Sequence, residues 1–364
     1  MSMSLGNTVK MTVFGQSHSE EIGVIIEGIE KNTEIDIDII RQFLLRRAPG
    51  RNEYSSPRKE PDEPVIISGL DGNKTNGEPL KIVIRNTDKR ATDYENTRFV
   101  PRPSHADYAA FVKYGKESFV SGGGFFSGRM TAPMVIAGAV ACFALKKMGI
   151  EIGAHIYSIA DIHDKAFDSV NVSPNELIKI RSKTFPVTDD SAGEKMREAI
   201  ISAKRQGDSL GGVVECAVSN LPAGIGSPIF NGIESEISRA VFSIPAVKGI
   251  EFGSGFHGSS LRGSENNDPF DIKDGKVITV TNNHGGILGG ISSGMPIIFR
   301  ASFKPTPSIS IPQQSVNLLT HEREILTVSG RHDPCIVPRA VPVIEAVTAF
   351  VIYDMIETEK RNEH

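Results

Sequence analysis

Apolar and polar positions alternate with period two along several short stretches, the signature of half-buried strands. Over 8–14 the alternation puts Val9, Met11 and Val13 on one face. Similar runs at 23–28, 64–69, 80–85, 151–160, 211–219 and 296–303 predict further strands. Helices are marked by their punctuation. Asp38 is placed to cap a helix that runs to Arg47, where Pro49-Gly50 stops it. Thr131 can cap a helix with Pro133 in its first turn, Lys146 and Lys147 in its last, and Gly149 just beyond. Ser191 with Glu194 forms a capping-box pattern, and Gly207 ends that helix. Stretches 231–242 and 341–357 complete the helical set. Strands and helices mix without strict alternation, so the pattern predicts an α+β fold with antiparallel sheet rather than a doubly wound one. No low-complexity linker divides the 364 residues, which predicts a single domain over 1–364.

Composition removes several function classes. Forty Lys plus Arg against 44 Asp plus Glu leave a formal net charge of −4, so general nucleic-acid binding is not expected. Trp is absent and aromatics are 7%, which argues against a stacking platform for single strands. No apolar run reaches the length of a membrane span, roughly 18 residues. The longest candidate, 132–145, is interrupted by Pro133 and Gly138 and reads as a buried helix. The N-terminus, MSMSLGNTVK, lacks a secretory apolar core. Cys142, Cys216 and Cys335 are too scattered for a disulfide framework or a zinc knuckle, and no metal is expected. A reduced, cytoplasmic setting follows as the expectation. The 35 glycines exceed the usual share of about 7%, and they cluster at 122–124, 211–212, 285–286 and 289–290.

Candidate chemistry lies mostly beside those glycines. Gly253-Ser-Gly255-Phe-His-Gly258 matches a dinucleotide fingerprint after the strand-like Val247–Phe252, but 261–268 is polar and loop-like. Without a helix N-terminus to meet a pyrophosphate the match is set aside. In Phe14-Gly15-Gln16-Ser17-His18-Ser19 a sharp turn at Gly15 can project Ser17 and His18 from a strand end, His18 being suited to donate a proton to an anionic leaving group. Arg46-Arg47-Ala-Pro-Gly-Arg51, followed by Arg58 and Lys59, reads as an anion clamp at a helix end. Arg102-Pro-Ser-His105-Ala-Asp-Tyr108 opens a helix, with His105 where a donor to a ligand's negative oxygen can sit. Ser121-Gly-Gly-Gly-Phe125-Phe126-Ser127-Gly-Arg129 offers backbone N–H groups and Arg129 to one space. Thr281-Asn-Asn-His284-Gly-Gly286 through Gly294, with Lys304-Pro-Thr-Pro-Ser308, looks like a cradle for a planar phosphate-bearing ligand. Gly330-Arg331-His332-Asp333-Pro334-Cys335 places an anion-holding Arg beside an Asp that can act as base, and Cys335 reads as packing.

These ordered segments, together with Ser243-Ile-Pro-Ala-Val-Lys-Gly249, resemble the chorismate synthase family over nearly the whole chain. The resemblance implies a compact sandwich with helices packed between antiparallel sheets, typically as a homotetramer. It implies an anti 1,4-elimination of phosphate from 5-enolpyruvylshikimate 3-phosphate to give chorismate, the last common step toward aromatic amino acids, with reduced FMN required and no net redox change. By the same resemblance, Arg47, Arg129 and Arg331 clamp the substrate, and Ser17 and Ser127 add hydrogen bonds. His18 helps phosphate leave, and His105 stabilises negative charge on the reduced flavin. Asp333 is the base that, with the flavin's central-ring nitrogen, takes the ring hydrogen. FMN contacts fall on Phe125, Phe126 and Ser127, on Pro245 and Ala246, on Gly289, on Lys304, Pro305, Thr306, Pro307 and Ser308, and on Arg331.

The chain departs from the family pattern in two places. Phe125-Phe126 stands where many members have Arg-Ser, which removes an Arg contact to flavin. Glu53 stands where some have an Arg linked to nicotinamide binding, which weighs against direct use of NADPH. Reduced FMN is therefore expected from outside, with NADPH as an indirect reductant through a separate flavin reductase. The alternatives are a bifunctional form that reduces FMN with NADPH, and a non-catalytic flavin- or phosphate-binding protein on the same scaffold.

Overall fold

The computed structural model describes residues 3–50, 52–55, 61–86, 99–118, 121–328 and 332–362. Two five-stranded antiparallel sheets enclose a layer of helices. The first sheet runs Ser4–Leu5, Lys10–Gly15, Glu21–Glu27, Leu80–Arg85, Pro64–Ser68 in spatial order. The second runs Val247–Phe252, Ile297–Phe303, Gly212–Ser219, Glu151–Ile159, Ile162–His163. Eight helices are described: α1 (Ile37–Arg47), α2 (Asp107–Tyr114), α3 (Thr131–Lys147), α4 (Pro174–Arg181), α5 (Asp190–Arg205), α6 (Ile233–Phe242), the one-turn α7 (Gly263–Asn266) and α8 (Val337–Asn362). α3 packs on the first sheet and α8 on the second, and α1 and α6 lie alongside them. This is the α+β fold with antiparallel sheets that the chain pattern predicts, in the sandwich arrangement that the resemblance implies.

Burial explains where the pattern was readable. Val9, Met11 and Val13 are all buried, and Met11 and Val13 pair across the ladder with Ile26 and Val24. Glu151–Ile159 is buried almost throughout, because α8 covers one face and α4 and α5 the other. Such a strand loses its alternation. The segment Gly128–Lys147 is apolar and long enough to cross a membrane, but it is enclosed by protein, the position of a core helix.

Several helix ends differ from expectation by a few residues. α1 is capped by Asp36, not Asp38: the Asp36 carboxylate accepts from the amides of Asp38 and Ile39. α3 begins at Thr131 with Met130 as its cap, and the Thr131 hydroxyl donates back to the Gly128 carbonyl at 2.7 Å. α5 is capped by Asp189, which accepts from the Ser191 amide, so Ser191 lies inside the helix. α8 starts four residues before the predicted 341 and runs on to Asn362. Pro338 fits its first turn, where an N–H would have no partner.

Candidate active site

The C-terminal end of α1, the N-terminal ends of α2, α3 and α8, the turn after α6 and the chain leaving Ile297–Phe303 converge on a cavity of about 640 Å³. Six cationic side chains line it, Arg47, Arg102, Arg129, Lys248, Lys304 and Arg339, against one carboxylate, Asp333. Three helix N-termini add their partial positive charge, so the space favours an anionic ligand before any one contact is considered.

Arg47 ends α1 and Arg129 precedes α3, yet one buried carboxylate joins them. Arg47 Nη1 donates to Asp62 Oδ2 at 2.7 Å, and Arg129 Nη1 donates to Asp62 Oδ1. Arg47 Nε also donates to Thr131 Oγ1 at 3.2 Å. Arg129 Nε donates to Asn86 Oδ1 at 3.0 Å, and Asn86 Nδ2 donates to the Ser19 carbonyl at 2.9 Å. Through Asn86 the arginine pair is tied to the turn carrying Ser17 and His18. Gly15 makes that turn possible: its φ is +86°, and a Cβ there would fall 2.5 Å from the Glu21 carbonyl oxygen. The Ser17 amide donates to the Gly124 carbonyl at 3.4 Å, which sets Ser17 and His18 against the triple-glycine stretch rather than in the cavity wall. Ser17 Oγ is buried with no hydrogen-bond partner among the described residues, and His18 Nε2 is buried as well.

His105 lines the cavity just before α2. Its Nδ1 lies 2.6 Å from Asp107 Oδ1, and Arg102 grips the same carboxylate, Nε to Oδ2 and Nη2 to Oδ1, each at 2.8 Å. Burial opposes ionisation of Asp107, but the hydrogen bonds from Arg102 and His105 prevail and hold it well below the ordinary carboxylate range. Lys304 Nζ donates to the Ser104 carbonyl at 2.8 Å. Its pKa is lowered by burial and by the nearby Lys248. The Lys304 amide donates to the carbonyl of Ala246, a non-glycine residue held at φ +74° between Pro245 and the next strand.

Asp333 receives a hydrogen bond from Arg339 Nη1, and Arg339 Nε donates to the Arg47 carbonyl at 2.9 Å. One guanidinium thus connects the candidate base to the end of α1. Cys335 is buried and its thiol is pushed up to about 12 by that burial, consistent with packing.

Of the residues singled out from sequence, Arg47, His105, Phe125, Phe126, Ser127, Arg129, Pro245, Ala246, Lys304, Thr306, Pro307, Ser308 and Asp333 share this cavity. Pro305 and Gly289 do not line it. Gly289 belongs to the 281–294 stretch, which packs against other segments: Asp268 accepts from the amides of Asn283 and His284, and the Gly290 carbonyl accepts from the Ile233 amide. The cradle predicted there is not part of the cavity wall. Arg46 turns away from the clamp into an ion pair with the buried Glu345. Arg331, with Arg51, Arg58 and Lys59, lies outside the described residues. Asp62, Asn86, Asp107 and Arg339 hold the site together and were not singled out. Of these, Asp107 left a trace in the sequence, two residues after His105 and five after Arg102 in one motif.

Comparison with known proteins agrees with this arrangement. The chorismate synthase family profile matches residues 9–356. The chorismate synthase of Thermococcus kodakarensis is 45% identical over 349 residues, 96% of each chain. That of Dehalococcoides mccartyi strain BAV1 is 45% identical over 355 residues, covering 98% of this chain and 96% of its own. A crystal structure of chorismate synthase superposes with a TM-score of 0.74 at 28% identity, covering 98% of this chain and 97% of that one. The chain belongs to the chorismate synthase family, lyases that convert 5-enolpyruvylshikimate 3-phosphate to chorismate in aromatic amino acid biosynthesis.

Proposed function

We propose that the chain works as one catalytic domain over 1–364 that binds reduced FMN and the substrate together in the cationic cavity. The observation that carries this reading is the cationic excess of that wall, six cations against Asp333 in the lining and Asp62 and Asp107 behind it, which suits a substrate with one phosphate and two carboxylates. The wall also suits a flavin. Thr306 Oγ1 is buried there with no hydrogen-bond partner among the described residues, and the bare Gly123 leaves His105 open, since a Cβ would sit 3.3 Å from its Cε1. Phe125 and Phe126 present half-exposed rings on the same side of the site as Ser127. FMN would be held by Phe125–Ser127, Pro245, Ala246, Lys304–Ser308 and Arg331, and Gly289 belongs to this set by resemblance. When bound, the reduced flavin supplies electron density that eases loss of phosphate.

The chain's own residues do the rest. Arg47, Arg129 and Arg331 hold the substrate anions, with Ser127 as a hydrogen-bond partner. Ser17 and His18, on the turn against 122–124 that Asn86 ties to Arg129, belong to the site by resemblance, His18 giving a proton to the departing phosphate. His105 stabilises negative charge at the cofactor's pyrimidine ring. Asp333, fixed by Arg339, accepts the ring proton. The reductant is external to the chain, with NADPH acting through a separate reductase. The protein works in the cytoplasm as a homotetramer, for which exposed Phe230, Phe256, Phe270 and Ile272 supply apolar surface.

Anaerobic incubation of the purified protein with substrate and dithionite-reduced FMN tests the reading, with chorismate as the readout. Product is expected under dithionite and none with NADPH alone. Turnover with NADPH alone would establish the bifunctional form. Absence of product when both ligands bind would leave only a binding scaffold.

A further inference from the structure

His105 Nδ1 has two competing neighbours. Asp107 Oδ1 lies 2.6 Å away and can only accept a hydrogen bond when ionised, whereas Arg102 Nη2 lies 3.1 Å away and can only donate. The two demand opposite tautomers of a neutral imidazole. If the carboxylate wins, Nδ1 carries the proton. If the guanidinium wins, Nδ1 is bare and the proton sits on Nε2. Lys304, whose ammonium is engaged with the Ser104 carbonyl, lines the same cavity.

Geometry favours the carboxylate. Its contact is the shorter, and charge-assisted bonds strengthen with closeness. Arg102 is already committed to both oxygens of Asp107, which fixes its plane. Asp107 also accepts from the Arg102 backbone amide at 3.0 Å, so the carboxylate has no rotational freedom to leave Nδ1. Asp107 stays ionised through the neutral range, as its lowered pKa requires.

We propose that Asp107 is a positioning residue that holds the His105 proton on Nδ1 and so leaves Nε2 as the atom that takes up the second proton when His105 meets an anionic ligand. Nε2 lies against the bare face of Gly123, where a Cβ would stand 3.5 Å away. The imidazolium so formed, paired with Asp107, is the form that stabilises the ligand's negative charge. This rests on the proposed placement of the flavin beside His105.

Nitrogen-15 histidine spectra of the ligand-free protein, recorded near pH 9 with His105→Gln to assign the signal, test the tautomer directly. The wild type should show a protonated Nδ1 and a bare Nε2. Asp107→Leu should reverse that pattern, because Arg102 becomes the sole neighbour of Nδ1. Asp107→Asn, whose amide oxygen can still accept from Nδ1, should keep the wild-type pattern, and it covers the case in which the leucine variant does not fold. A wild-type spectrum with the proton on Nε2, or one unchanged in Asp107→Leu, would overturn the proposal. Binding of reduced FMN gives the second readout. Asp107→Leu should weaken it about tenfold relative to oxidised FMN, the loss of one charge-assisted hydrogen bond. A reversed tautomer with reduced-FMN affinity unchanged in both Asp107→Leu and His105→Gln would uphold the tautomer assignment and instead remove the flavin from His105.

Discussion

Arg47 and Arg129 share the two oxygens of Asp62, a carboxylate that is only 1% exposed. The guanidiniums are themselves buried, so without Asp62 two like charges would face each other with little solvent between them. Removing one partner of a buried ionic group typically costs about 3–5 kcal/mol. Asp62→Asn should therefore lower the thermal midpoint, and millimolar inorganic phosphate should recover part of the loss by supplying the missing charge. The KM for substrate should rise more than kcat falls. A midpoint loss that phosphate leaves untouched would show that Asp62 supports the fold without organising the anion site.

Arg339 makes a separate prediction about Asp333. Asp333→Asn removes the proposed base and should lower kcat by about 10²–10⁴-fold while FMN binding stays at the wild-type level. Arg339→Lys keeps a cation but cannot bridge Asp333 and the Arg47 carbonyl at once, as the guanidinium does. It should lower kcat less than Asp333→Asn does. Single-turnover rates and FMN titrations on both variants check the order. Equal FMN loss and rate loss would mean that Asp333 holds the cofactor and is not the base.

These relationships mark the boundary of what the chain pattern could reveal. The face formed by Val9, Met11 and Val13 was legible because that strand buries one side only. The span of α3 was legible because Thr131, Pro133 and Gly149 punctuate it. The cap of α1 was not, since Asp36 and Asp38 both satisfy the N-cap rule and only the extended backbone at Asp36 separates them. The start of α8 at Val337 was not legible, because Pro338 lies ahead of the predicted 341 and fits the first turn without adding to the apolar pattern. Glycine-rich motifs identify backbone that approaches something closely, but not what: 122–124 meets His105 and the Ser17 turn, while 285–290 meets Gly253, Ser227 and Gly232. Asp62 escaped notice for a different reason. Its partners are set by the crossing of distant segments, the end of α1 and the chain before α3, and its own sequence neighbours carry no trace of them.

Gly138 on α3 meets Ala346 on α8 at the centre of the sandwich. A Cβ at Gly138 would fall 2.2 Å from the Ala346 carbonyl oxygen and 2.3 Å from its Cα. The clash is with backbone, so no rotamer change relieves it, and the two helices would have to separate. Overpacking of this kind costs about 1–3 kcal/mol, enough to exceed the helix-propensity gain of replacing glycine. Gly138→Ala should thus lower the urea midpoint, against the usual stabilisation by Ala in a helix. A raised midpoint would mean that α3 and α8 are farther apart in solution.

The pH dependence of stability should centre on His155, which is fully buried with Nδ1 2.9 Å from Asp164 Oδ2 and Nε2 2.9 Å from Glu215 Oε2. Burial disfavours its charged form, but the hydrogen bonds to Asp164 and Glu215 outweigh it and raise the pKa above the ordinary 6.5. Burial likewise opposes ionisation of the carboxylates. Bonds from His155 and the Thr188 and Asp189 amides nevertheless draw Asp164 below 3.8, and His155, the Phe167 amide and Arg300 draw Glu215 below 4.5. A raised histidine adds stability that is complete below its unfolded pKa and is lost as pH climbs through the folded one. The lowered carboxylates add stability that is complete above their unfolded pKa values and is lost as pH falls through the folded ones. The cluster should therefore stabilise most between about pH 4.5 and 6.5 and less on either side. Glu215→Gln removes one partner of the pair, so the difference in unfolding free energy from wild type should reach about 3 kcal/mol near pH 6 and shrink toward pH 9. Urea titrations across that range measure it, and a difference that does not vary with pH would show that His155 stays neutral between its two carboxylates.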